Sequence, residues 1–307
     1  MPTLRIVKNK DKEVEKIVKY LNDPKFPQLR KTIFNTFPKL QENLEKDKCS
    51  GMKSENEIVE LFVADYYETH RDIISSIIVD IEYKINTYGT KVLHLLAESM
   101  DYVWQTTIEY TLVPTILPFS PFGHNTFFFS MTRRINGVEN MGENKNHDVL
   151  PLLAHEVSHM LLRDVLYKYH KRDLETVYSW TTMHMLQEIL APIIMNEPLL
   201  KEVLDIQNYS GNPYLELIMV SHNDFAENIV SYFTRMYHKE RIEHGRSFIE
   251  TILKMATIIE TIEPSLASKL KLWNSSAHLL KKDATKREEF GVPIVIPKGH
   301  AETTDLD

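Results

Sequence analysis

The chain has almost no cysteine and little glycine. A single cysteine, Cys49, occurs in 307 residues. That excludes an intramolecular disulfide framework and fits a reducing compartment such as the cytoplasm. Cys49 lies in the polar stretch KDKCSGMKSE and reads as an exposed thiol. Only nine glycines are present, among many Leu, Ile, Lys and Glu, which argues for long helices and few tight turns. No apolar run approaches the roughly 18 residues of a membrane-spanning helix, so no membrane partner is expected. The opening MPTLRIVKNKDKEVEK lacks the apolar core of a signal peptide. Basic charge is not in excess either. The net charge is −7 and the pI about 6.0, so no nucleic-acid partner is expected. Dinucleotide and phosphate-loop glycine patterns, internal repeats and low-complexity segments are all missing, and the oligomeric state is left open.

What is present is enough apolar residue, 43%, for one large core or two. Asp11 to Leu21 places Val14, Ile17, Val18 and Leu21 on one helical face, and Leu29 to Leu44 reads as a second helix. From Glu55 to Trp104 the pattern is that of long amphipathic helices, with a break near Tyr88-Gly89-Thr90. The texture then changes. The stretch from Thr106 to Arg134 is β-branched, aromatic and punctuated by Pro114, Pro118 and Pro121. It predicts strands near Ile108–Val113 and Asn125–Thr132. Residues 133–147 are polar and Gly/Asn-rich and read as a loop, flanked by His124 and His147. Further helices are expected over Leu174–Met195, Ser247–Glu263 (ended by Pro264) and Leu266–Lys282, with a possible strand at Val292–Ile296 and a frayed last eight residues.

The chemistry concentrates in Asp148 to Tyr169, which contains His155-Glu156-Val157-Ser158-His159, the pattern HExxH. On a helix, residues four apart share a face, so two imidazoles can bind one zinc ion. Glu156 then stands beside the metal, where it can take a proton from water activated there. Leu150, Leu153, Ala154, Val157, Met160, Leu161 and Val165 form one apolar stripe. Leu152, Leu162 and Leu166 continue the face of the histidines. A helix apolar on both faces is buried, and buried His and Glu need partners.

Motif, apolar helix and upstream strands together resemble the zincin metallopeptidases over about 100 residues, from roughly Pro121 to Glu227. Residues after His159 read MLLRDVLYKYH and lack the Gly and third His of metzincins. The resemblance therefore implies a third ligand that is a downstream Glu, as in gluzincins, with an Asp as the lesser alternative. It also implies a small sheet beside the active helix, with Thr126 to Met131 as the edge strand along which a peptide adds.

Two glutamates compete for the third ligand. His159 and Glu188 are equidistant from a polar turn near residues 173–174, so an antiparallel helix pair sets them opposite each other. Glu188 also sits among Met185, Leu186, Ile189, Leu190, Ala191 and Ile193, where an ionised carboxylate needs a cation. The string Glu188-Ile-Leu-Ala191 resembles the Glu-Gly-x-Ala of some gluzincin glutamate helices, with Ile in place of Gly. The rival is Glu227, because Asp-Phe-Ala-Glu before an aromatic helix resembles certain toxin-type zincins. Asp224 is a candidate partner for a ligand imidazole. His184, Tyr214, His222 and Tyr232 are candidate oxyanion donors.

These residues imply a mainly α fold with a small β-sheet (α+β). A zincin-like catalytic core is expected over 106–240, a helical region over 1–105, C-terminal helices over 241–290 and a tail over 291–307. The implied function is a zinc-dependent peptidase with one Zn2+ on His155, His159 and Glu188 (or Glu227), Glu156 as general base, and a peptide or protein as substrate. The alternatives are a non-proteolytic binding or regulatory protein on the same scaffold, and a helical protein with an accidental motif.

Overall fold

A computed structural model describes residues 2–24, 27–50, 52–104, 108–123, 125–137, 148–222, 225–280 and 290–297. The protein is mainly helical with two small sheets, an α+β fold. Contacts divide it into two compact units. The first comprises residues 1–90 and 105–153, the second residues 91–104 and 154–307. This division follows contacts rather than chain order, so its limits differ from the sequential segments read from composition.

The first unit opens with a strand that the sequence did not announce, β1 (Thr3–Ile6). Helices α1 (Lys10–Asn22), α2 (Pro27–Thr36), α3 (Pro38–Ser50), α4 (Glu55–Thr69) and α5 (Arg71–Lys84) follow. Leu29–Leu44 is thus two helices, not one. Phe37 precedes a proline, whose ring disfavours helical backbone in the residue before it. The side chain of Cys49 lies outside the described residues. The expected break at 88–90 is instead a π-helical turn, Ile85–Gly89, leading directly into α6 (Thr90–Ser99), which belongs to the second unit. Gly89 lets the tip of a β1 side chain lie against the backbone. A Cβ there would lie 2.5 Å from Leu4 Cδ1 of β1.

Strands β2 (Glu109–Thr115), β3 (Phe122–Gly123) and β4 (Thr126–Ser130) complete a sheet ordered β1-β2-β4-β3. The two expected strands are present, and they pair in parallel. The edge-strand expectation is corrected. β4 is interior, flanked by β2 on one side and β3 on the other. Beyond β3 its outer side is occupied as well: Phe128 N–H donates to Pro121 O (2.9 Å) and Ser130 N–H to Ser120 Oγ (3.2 Å). The proline-punctuated 118–121 segment folds back onto it, so a peptide finds no open edge there. The polar stretch after it begins as the short helix α7 (Thr132–Ile135). Residues 138–147, His147 among them, lie outside the described residues, as does His124.

Glu13 on α1 fastens the helices of this unit to the sheet. Its carboxylate is 1% exposed. It accepts from the Tyr67 hydroxyl (2.6 Å), the Thr115 hydroxyl (2.7 Å) and the Ile116 N–H. Replacing Glu13 with Ala strands two buried donors and the half-buried Tyr67 hydroxyl, and denaturant unfolding should report a loss of about 3 kcal/mol. Burial raises its pKa above 4.5 despite those donors. Between 4.5 and that raised value the folded chain holds a proton that the unfolded chain releases, so stability falls as pH rises above about 4.5. Glu13→Gln keeps an acceptor without the charge, so its unfolding free energy should lack this part of the pH slope.

The second unit contains most of α8 (Val149–His170), then α9 (Trp180–Met195) and α10 (Pro198–Leu204). The three-stranded sheet follows, with β5 (Met219–His222) and β6 (Phe225–Asn228), then α11 (Ile229–His238) and α12 (Phe248–Leu280). The tail adds β7 (Ile294–Val295), parallel to β5, as the sequence suggested. The last eight residues lie outside the described residues.

Two helical boundaries differ from expectation. Residues 174–176 form a separate 3-10 turn, and α9 starts only at Trp180, where the Ser179 hydroxyl accepts from Thr182 N–H (3.0 Å). Pro264 does not end its helix. α12 runs through it, packed on α9 with Ile259, Ile262, Leu266 and Leu270 buried on both sides. That burial offsets the roughly 3 kcal/mol an interior proline costs. No helix among the described residues is long and apolar enough to cross a membrane.

Candidate metal centre

The HExxH helix is set at its start by charge. Asp148 Oδ1 accepts from Val149 N–H (2.6 Å), in the capping position that favours a carboxylate. Asp148 is in turn held by Lys84 (2.5 Å) and Arg134 (2.7 Å), both of which also bind Asp80. Along α8, Leu150, Leu153, Ala154, Val157, Leu161, Leu162 and Leu166 of the apolar stripes are buried, while Leu152, Met160 and Val165 are half-buried. Ser158 returns its hydroxyl to His155 O (2.7 Å).

His155 and His159 fall on one face with ring centroids 4.3 Å apart. Glu188 reaches them from α9, which is buried almost continuously from Thr182 to Met195. His155 Nε2 and Glu188 Oε2 are 3.9 Å apart. One ligand atom from each of His155, His159 and Glu188 lies within 4.8 Å of the others, the one such group of metal-ligating side chains among the described residues. Ligand atoms of a tetrahedral zinc with bonds of about 2.1 Å stand about 3.4 Å apart, close to the His155–Glu188 spacing.

The electrostatics suit a cation. Burial, followed by the neighbouring His184, pushes His155 down to about 4. Burial also drives His159 well below 6.5, helped by His155 and His184. Both imidazoles are therefore neutral near pH 7 and offer lone pairs rather than charge. Burial pushes Glu188 up to about 7, and burial plus the Glu188 charge pushes Glu156 up to about 8. Two buried carboxyls that resist ionisation together are relieved by a dication. Glu156 Oε2 is buried and accepts no hydrogen bond from the described residues. The donor set fits zinc: two neutral nitrogens, one carboxylate, and a second carboxylate held beside them.

Around this group lie further side chains. Tyr209, which the sequence reading did not single out, sets its hydroxyl 3.0 Å from His155 Nδ1. Tyr209 follows α10 in an irregular segment without periodicity, so nothing local marks it. His184, one turn before Glu188, places Nδ1 3.9 Å from Glu188 Oε1 and Nε2 2.9 Å from the Tyr214 hydroxyl. The exposed Trp180 stacks on the His184 ring at 4.8 Å and 14°. His184 and Tyr214 thus approach the group. His222 and Tyr232 instead face each other, on β5 and α11. Asp224 lies outside the described residues.

Glu227 is placed elsewhere. It sits on strand β6, not on a helix, because Asn228 next to it caps α11 by accepting from Val230 N–H (2.8 Å). Its carboxylate pairs with Arg235, and it does not join the His155–His159 group. No protein-family model, curated protein or solved structure matches this chain.

Proposed function

We propose that this protein is a zinc-dependent metallopeptidase of gluzincin type, hydrolysing a peptide or protein substrate. The observation that carries the proposal is the meeting of Glu188, from a separate helix, with His155 and His159. An accidental HExxH has no reason to attract a third ligand from 29 positions (188 − 159) further along the chain. His155, His159 and Glu188 would hold one zinc ion. Bound there, zinc supplies Lewis acidity, which acidifies water and polarises a carbonyl.

Glu156 is the general base. Its carboxylate stands buried beside the ligands with Oε2 uncommitted. It accepts the proton of the attacking water and delivers it to the departing amine. The neighbouring positive charge of a bound ion would favour its ionised, proton-accepting form over the neutral form that burial alone prefers. Of the candidate oxyanion donors, His184 and Tyr214 approach the group, His184 Nδ1 lying 3.9 Å from Glu188 Oε1. The single cysteine fits work in a reducing compartment such as the cytoplasm.

The test pairs metal analysis of the purified protein with a broad peptide-cleavage screen. One zinc per chain, with cleavage that a chelator stops and added zinc restores, is the expected result. Stoichiometric zinc without cleavage of any peptide overturns the peptidase in favour of a binding or regulatory protein. Absence of bound metal reduces the motif to coincidence.

A further inference from the structure

The segment after α10 is fastened to the glutamate helix at two points. Asn196 caps the end of α9, where its Nδ2 donates to Pro192 O (2.8 Å) and to Tyr209 O (2.8 Å) while its Oδ1 accepts from Tyr209 N–H (2.9 Å). Its side chain thus reproduces a two-bond backbone ladder with one residue, Tyr209. Two positions further on, Gly211 (φ +72°) presses on Pro192, where a Cβ would meet Pro192 Cγ and Cδ at 3.3 Å. Both glycine features, the left-handed backbone and the close approach, are used here. The result is a loop whose backbone is held to α9 although it has no regular structure of its own.

What the loop delivers is one hydroxyl. The Tyr209 ring lies 5.9 Å from the His155 ring, and its oxygen is 3.0 Å from His155 Nδ1. The other nitrogen, Nε2, faces Glu188. With Nε2 committed as a ligand, Nδ1 carries the ring proton and donates it to the Tyr209 oxygen.

We infer that Tyr209 is a positioning residue of the metal centre, fixing the tautomer and the ring orientation of His155, and that Asn196 acts through it. This rests on the metal-centre reading above and deepens it. The arrangement ties the centre to one helix: α9, which supplies Glu188, also anchors, through Asn196, the residue that orients His155. A ligand imidazole whose second nitrogen is held costs less ordering when the ion arrives.

The experiment measures zinc affinity by competition with a chromophoric chelator in wild type, Tyr209→Phe, Asn196→Ala and the double variant, with unfolding of each metal-free protein followed by circular dichroism. Tyr209→Phe should still bind one zinc per chain, about tenfold more weakly, with a melting temperature close to wild type. Asn196→Ala should weaken binding in the same direction, and the double variant should be no weaker than Tyr209→Phe by more than about twofold. In zinc-loaded wild type, the His155 Nδ1 proton should exchange slowly by NMR, and in Tyr209→Phe it should exchange fast. An unchanged affinity in Tyr209→Phe, or a lowered melting temperature with affinity and proton exchange unchanged, overturns the inference while leaving the metal centre standing. Wild-type protein that takes up no zinc is a different failure, and it removes the metal centre itself.

Discussion

Glu156→Gln protein should bind one zinc per chain as wild type does and cleave peptides about a thousandfold more slowly, within the range expected when a general base is removed. The substitution is nearly isosteric. It leaves His155, His159 and Glu188, the three donors grouped within 4.8 Å, untouched. It deletes only the ability to accept a proton. Burial already pushes Glu156 up to about 8, so a neutral amide is tolerated in its place and the variant should fold. The measurement is the rate per zinc-loaded molecule, with the metal content of each preparation determined in parallel. Turnover within a few-fold of wild type would remove Glu156 from the mechanism.

The second large effect separates the two glutamates. Glu188→Ala should weaken zinc binding by at least about a hundredfold, since on the proposed assignment it deletes a direct ligand from a buried site. Glu227→Ala should leave the affinity within about twofold. Glu227 faces Arg235 rather than the histidines, and that arginine is largely exposed, so the lost pair matters little to the fold. Calorimetric titration of both variants with zinc decides the question. Retention of tight binding by Glu188→Ala, or its loss in Glu227→Ala, would reverse the assignment.

The site was legible in the sequence where it depends on local periodicity. His155, Glu156 and His159 share a helix because of four-residue spacing alone, and the apolar stripes of that helix forecast its burial. Glu188 was within reach of a simple argument because the two helices meet around a short polar connection. That argument survived an error in the helix boundary, since α9 begins at Trp180 and not at 174. Glu227 stood as the rival to the favoured Glu188 because a tetrapeptide string carries no information on strand or helix. The strand was decided by pairing with β5, a partner that lies outside the string.

Other features had no local signature. β1 alternates weakly over four residues and exists by parallel pairing with β2. β4 carries the aromatic run of a good strand, and its composition cannot say whether a neighbour will cover its edge. Pro264 signals a helix end by its own chemistry, but packing of α12 on α9 overrides it. Tyr209 is a single aromatic residue in an irregular loop, and its role comes from the Asn196 clamp 13 positions away.

The sequence alone determined the mainly helical character of this protein, the apolar helix that bears two histidines one turn apart, and the acid between them. Those follow from propensity and from interactions within a few residues. Only the tertiary structure decided which glutamate meets the histidines, which tyrosine holds the first of them, and which strand edge is closed. Each of these depends on surfaces distant in the chain, and the free energy of bringing them together belongs to the packed core.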